Sequence, residues 1–254
     1  MSMPITFPNA GLRILSATMH FVGSCILTFV LARRTAYENL HTWRGWTELG
    51  AAKLSVILAF SDSLLFLLFT GILTHGAGLE LSHGACSAAF FSCVFLYASS
   101  KVFIYNFLSE RVWVVWSSIQ LTSTTKKPRR WSSPIYLWCI FSEAQYAVIV
   151  TIAIIMGITE NGNDKCYIGL KLTASLMLLC YDLYMNFLLT ALFVYPLWKE
   201  GVVNSSLRKM ATRTLYAAVV ALTTSTINIA VLSALRGREL GWLCLMSCGT
   251  DVSI

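Results

Sequence analysis

The stretch "ILSATMHFVGSCILTFVLA", residues 14–32, limits what this chain can become more than any other feature. It has no polar face and no charge, and it is closed by Arg33-Arg34. A soluble amphipathic helix would carry a polar side. A helix rises about 1.5 Å per residue, so about 20 such residues cross the roughly 30 Å hydrocarbon layer of a bilayer. The block recurs. Apolar spans are read at residues 12–32, 51–73, 84–108, 135–156, 167–197 and 214–235, with a shorter one at 241–254. Charged residues make up 12% of the chain, about half of the roughly 25% usual for a soluble domain. The expected fold class is therefore an all-α, polytopic transmembrane helical bundle, one domain over residues 1–254. It has seven helices, the last one incomplete.

The first span is long and has no basic flank before it, so it reads as a retained helix and not as a cleaved signal. The fourth begins just after Pro134, and "ITENGNDKC" between the fourth and fifth reads as a turn-rich loop. No internal repeat of the kind that builds many transporters is visible. The net charge of +7 comes from Lys and Arg between the spans, and no basic stripe interleaved with aromatics lies outside them. Nucleic acid is thus set aside as a partner, and the lipid bilayer is the expected one. One set of loops carries thirteen Lys and Arg, the other five, and Lys101 lies within a span. By the positive-inside rule the first set is cytoplasmic and the N-terminus lies outside or in a lumen. The expected location is the plasma membrane or another membrane of the secretory pathway.

Ionisable groups inside spans are costly, and each is a hypothesis of function until a partner is named. Five qualify: Asp62, Lys101, Glu143, Asp182 and Asp251. Counting along the helices puts Asp62, Lys101 and Glu143 about 13–15 Å from the basic edge, with Asp182 and Asp251 nearer the middle. Lys101 needs a carboxylate. Asp62 is the first choice, because a short loop joins the second and third spans, and Asp182 is the second. Three readings stay open for this polar layer: cohesion between helices, recognition of a small ligand or ion, and a proton-coupled path. Lower on the third span, Glu110-Arg111 reads either as ordinary snorkelling at the membrane edge or as an ionic latch, with Arg111 held by Glu110 until helices move.

Six of the eight cysteines fall within spans and read as small apolar residues. Cys86 and Cys166 both fall on the expected outer, oxidising side, so a disulfide between them is expected. The four histidines are dispersed, with His75 and His83 read as loop residues, and no pair has zinc spacing. No nucleophile elbow, phosphate loop or metal cluster is visible. The chain is therefore not read as an enzyme, and no cofactor or metal is expected.

Seven apolar segments, an outer N-terminus, Cys86 atop the third span, Cys166 before the fifth and Glu110-Arg111 at the base of the third resemble the rhodopsin-like G-protein-coupled receptors. The resemblance implies a sodium-linked role for the Asp62 of "LAFSDSLLF". The chain departs from that family at Val112, where it prefers an aromatic, and in "TLYAAVVALTTSTINIAVLSAL", which lacks the aromatic-x-Pro switch. The phrases "KVFIYNFLSERVWVVW", "YDLYMNFLLTALFVYPLW", "ALTTSTINIAVL" and "GRELGWLCLMSCGTDV" are similar to those of a group of fungal multi-span membrane proteins. That likeness implies a seven-helix fold and no established activity. The function expected is receptor-like: a small ligand or ion bound among the helices, coupled to a cytoplasmic signalling protein at residues 117–134, where "KKPRR" could equally meet anionic lipid. A small-solute or proton-coupled transporter, or a structural membrane protein, are the alternatives. Asn204 heads an "NSS" sequon that this topology puts in the cytoplasm. It should carry no glycan, and endoglycosidase treatment of the expressed chain should leave its electrophoretic mobility unchanged.

Overall fold

The computed structural model describes residues 10–36, 50–77, 83–123, 130–162, 165–199 and 238–240, with short groups of one to three residues between 212 and 230 and Cys248. Asn204, Asp251 and residues 124–129 lie outside the described residues, as does most of the expected sixth and seventh spans. Among the described residues five long helices follow one another: α1 (Ala10–Thr35), α2 (Ala51–Gly71), α3 (His83–Ser123), α4 (Pro134–Ile155) and α5 (Leu172–Lys199). Each includes a stretch long and apolar enough to cross a membrane. They match the first five expected spans, with two corrections. α3 is longer than its apolar core, running 41 residues to Ser123. α5 starts at Leu172, because residues 167–170 belong to a strand.

That strand changes the all-α expectation. The segment read as a loop is a β-hairpin, β1 (Gly157–Gly162) and β2 (Lys165–Leu170), and β3 (Arg238–Leu240) pairs antiparallel with the other edge of β2. Tyr167 therefore faces Leu240 across the ladder instead of opening a helix. The hairpin packs against the first turns of α3, at the buried Cys86 and Phe90. Gly157 is required where it docks, because a Cβ there would run into the Phe90 ring. Cys86 of α3 and Cys166 of β2 form a disulfide, with Cα atoms 5.8 Å apart. Only Lys171 separates β2 from α5, so this bond ties one end of α5 to one end of α3.

The core is a column of three clusters stacked down α3. Around the disulfide lie Phe66, Leu67, Ala89, Phe90, Ile168 and Ala174. In the middle Tyr105, Leu108, Cys139, Tyr146, Met185 and Leu189 join α3, α4 and α5. Farthest from the hairpin Val112 packs on Phe193. The outside of the bundle is apolar as well. Phe21, Ile155 and Phe187 are 72%, 78% and 78% exposed, an arrangement that water penalises and hydrocarbon does not.

α1 packs along α2 at small residues. A Cβ on Gly23 would come within 2.8 Å of Leu67 Cδ1, so glycine allows the close approach that helices use in lipid. α2 then widens into a π-helical turn, Ile72–Ala77. That turn brings His75 to the Ser16 hydroxyl at 3.3 Å and edge-on to His20, centroids 5.6 Å apart. His75 is thus a packed residue between two helices, not a solvated loop residue. His20 itself is buried, with Nδ1 2.8 Å from the Ser16 carbonyl and Nε2 3.3 Å from the Thr70 hydroxyl.

The disulfide closes a loop of 80 residues in sequence separation. Chain-entropy reasoning would make its loss worth about 4–5 kcal/mol. Helices held in a bilayer or micelle are already restricted when unfolded, so about 2–3 kcal/mol is expected for Cys86→Ser. Thermal unfolding in micelles should show the lower midpoint, and limited proteolysis should cut first within residues 157–171.

Candidate functional site

α3 carries a polar stripe on one face. Lys101, Tyr105 and Ser109 follow at intervals of four, which stacks them on one side of a helix. Each meets a carboxylate from a neighbouring helix. Lys101 Nζ lies 3.3 Å from Asp182 Oδ1 of α5, and the Tyr105 hydroxyl donates to the same oxygen at 2.7 Å. The other oxygen, Oδ2, accepts from the Thr226 hydroxyl at 2.9 Å, and Asn186 Nδ2 donates to Thr226 at 2.8 Å. Asp182 and Lys101 are 2% and 4% exposed, so this is a fully buried ion pair with further donors on the acid. Three parts of the chain meet at one carboxylate: α3, α5 and the segment holding Thr226.

Asp62, the sequence's first choice of partner for Lys101, is elsewhere. It accepts from Ser99 Oγ at 2.8 Å, between α2 and α3. Helix geometry explains the correction. Residues two apart point about 200° apart around a helix. Since Ser99 faces α2, Lys101 faces away from it, towards α5. Asp62 is buried, and its Oδ2 has no hydrogen-bond partner among the described residues.

Glu143 of α4 accepts from Ser109 Oγ at 2.8 Å. One residue on, Glu110 is 3% exposed and accepts from the Tyr136 hydroxyl at 2.9 Å and from Arg130 at 3.3 Å. The expected Glu110–Arg111 latch is therefore not formed. Consecutive residues do not face each other on a helix. Arg111 instead lays its guanidinium 5.1 Å from the Phe107 ring centroid, and its Nε has no hydrogen-bond partner among the described residues. Arg130, from the turn before α4, takes its place at Glu110 while stacking 4.9 Å from the Trp113 centroid. The Arg130 side chain is 45% exposed, so the pair spans the edge of the bundle.

The expected polar layer is thus a staircase. Asp62–Ser99, Asp182–Lys101–Tyr105, Glu143–Ser109 and Glu110–Tyr136–Arg130 descend α3 over about 16 Å. Tyr181 adds a hydroxyl bonded to the Ser142 carbonyl, and Ser142 Oγ lies 3.3 Å from Tyr184. Tyr105, Ser109, Ser99, Tyr136, Asn186 and Thr226 were not singled out from sequence, and Arg130 was read only as part of "KKPRR". The first two were available in the four-residue spacing from Lys101. The others need helix neighbours that spacing alone does not supply. Among the described residues, no group of three His, Cys, Asp or Glu could hold a metal ion.

No family model, curated protein or solved structure matches the chain.

The partner assignment is testable by a double-mutant cycle. Lys101→Met and Asp182→Asn should each cost about 3–5 kcal/mol, because each leaves a buried partner alone. The double variant should cost much less than the sum. Lys101→Met with Asp62→Asn should be close to additive, as expected for groups without a shared contact. Unfolding of the full chain in micelles reads all three.

Proposed function

We propose that this chain is a receptor-like multi-pass membrane protein, in which a small ligand acts on the Asp182 centre and α3 conveys the change to the Glu110 end. The reading places the Arg130 end in the cytoplasm and the hairpin outside or in a lumen, in keeping with the excess of Lys and Arg in the loops of that side. One observation carries it. Asp182 joins α3, α5 and Thr226 at one buried carboxylate, and the same α3 face leads to an ion pair half open to solvent at the bundle's edge.

Such a centre suits a bistable element. Lys101 can keep Asp182 or yield it to a ligand cation, and a ligand carboxylate can compete for Lys101. Either exchange rearranges contacts between α3, α5 and Thr226 without leaving a bare charge in low dielectric. At the far end, release of Arg130 from Glu110 would free a guanidinium for an anionic surface on a cytoplasmic signalling protein. Arg111, poised on Phe107, is the second basic group there.

A proton-coupled transporter is the second reading. It is favoured by Asp62 Oδ2, which has no hydrogen-bond partner among the described residues, and by the half-buried Glu143, two carboxyls beyond the ion pair's own needs. Two measurements separate the readings. A spin label at position 132, in Ser132→Cys of the turn that holds Arg130, should become more mobile when Asp182→Asn is added, if the centre and the edge are coupled. Unchanged mobility would sink the receptor reading. Purified protein in proteoliposomes should pass no protons down an imposed pH gradient, whereas flux lost in Asp62→Asn would establish transport.

A further inference from the structure

Six of the eight cysteines lie within the expected spans, and two of these six meet. Cys93 of α3 and Cys248 of the C-terminal segment are 155 residues apart in sequence, yet their sulfurs are 2.9 Å apart. Carbon atoms in non-bonded contact settle at about 3.5–4.0 Å, and sulfur is larger. A disulfide bond measures about 2.05 Å. The pair therefore stands closer than packing alone brings two thiols, and one bond-forming step from a disulfide. Two thiolates on one zinc ion, each about 2.3 Å from it, would stand about 3.8 Å apart, so the spacing does not suit a bridging metal.

The level of the contact is fixed by its neighbours. Cys93 follows Cys86 by seven residues on the same face of α3, a drop of about 10 Å. At the level of Cys86 the disulfide holds Cys166 of β2, and β2 pairs with β3, Tyr167 opposite Leu240. Eight residues of chain lead from Leu240 to Cys248. Even at the rise of a helix they reach about 12 Å, enough for that drop. The strand pairing and the sulfur contact thus agree on where Cys248 meets α3. Both cysteines belong to the apolar cluster around the Cys86–Cys166 bond, Cys93 5% exposed and Cys248 half-buried.

We propose that Cys93 and Cys248 form a second disulfide, a reversible clasp that fastens the C-terminal segment to α3. Its oxidant is a small-molecule disulfide of the glutathione type, from the same oxidising side that closes Cys86–Cys166. Cys248, the more accessible sulfur, attacks as a thiolate and displaces one thiol, giving a mixed disulfide. Cys93 then attacks the Cys248 sulfur and displaces the second. The chain gives up two electrons and two protons, and the oxidant leaves as two thiols. A thiol reductant reverses both steps. Cys86 and Cys166 are only 1% and 3% exposed, so the clasp is reached and opened first. The Cys86–Cys166 bond secures α5 to α3. The clasp does the same for the C-terminal segment, whose described pairing with the hairpin is the three residues of β3. The inference does not rest on the receptor reading.

The test counts thiols in the full chain, purified in micelles without reductant, quenched in acid and denatured in excess maleimide. Four of the eight cysteines should react. Chymotrypsin cuts at Phe90, Phe91 and Leu245, so mass spectrometry should find a peptide pair joining Cys93 to Cys248. Dithiothreitol added to the folded protein should raise the count from four to six, with Cys93 and Cys248 labelled, before it reaches eight. Oxidised glutathione should return six to four. Cys248→Ser should show five reactive thiols with Cys86–Cys166 intact, and if that variant does not fold, the linked peptide of the parent decides alone. Six reactive thiols in the untreated parent, not lowered by oxidised glutathione, would overturn the proposal. So would a peptide that links Cys248 to Cys244 or to any cysteine other than Cys93. Opening of Cys86–Cys166 before or together with Cys93–Cys248 would overturn the reversible clasp.

Discussion

A carboxylate buried where water does not reach must be given donors, and Asp182 receives them from three parts of the chain. Leaving that charge unpaired would cost more than most single packing defects in a protein of ordinary stability. The helices around it are otherwise held by apolar contacts, which lipid tails could satisfy almost as well. The carboxylate therefore supplies what those contacts lack, a reason for α3, α5 and the Thr226 segment to meet in one register. Tyr105 and Met185, both fully buried beside it, pack in the cluster that register creates.

The same logic recurs down α3 with different partners. Ser109 meets Glu143, and Glu110 draws Tyr136 and Arg130 from the start of α4 and the turn before it. Even the Leu192 carbonyl, deprived of a donor by Pro196, is answered from α3 by Trp116. α3 is thus the element against which unmet polar groups of α2, α4 and α5 are satisfied. Its length and central place follow from that work as much as from its apolar content.

Much of this was open to reading from the residues. Uniform apolar blocks locate the helices because a bilayer demands about 20 such residues and forbids exposed backbone. Cys86 and Cys166 could be paired because the count of Lys and Arg puts both on the expected outer side, while the other six cysteines fall within spans. Which acid meets Lys101 could not be decided by height alone. Asp62 and Asp182 are both within reach in depth, and the choice depends on the rotation of α3, which Ser99 reveals only once α2 is in place. Glu110 and Arg111 misled for a related reason, since adjacency in sequence is separation on a helix. The hairpin was hidden because "GITENG" has one β-branched apolar residue and two glycines, a weak strand signal that is stabilised by docking on Phe90 and by β2. His20 and His75 looked unrelated because they are brought together by a π-helical turn, which no residue pattern announces.

The disulfide at the hairpin end has a mechanical consequence. It joins α3 to β2, and β2 runs into α5 after a single residue, so those ends of the two long helices share a fulcrum. α5 has 28 residues, a rod of about 42 Å. A tilt of about 5° about the fulcrum would shift its free end by nearly 4 Å, while Asp182, about a third of the way along, would travel little more than 1 Å. The bundle is geared: a displacement at the ion pair no larger than a hydrogen bond's tolerance becomes, at the opposite end, one as large as the gap between two packed side chains.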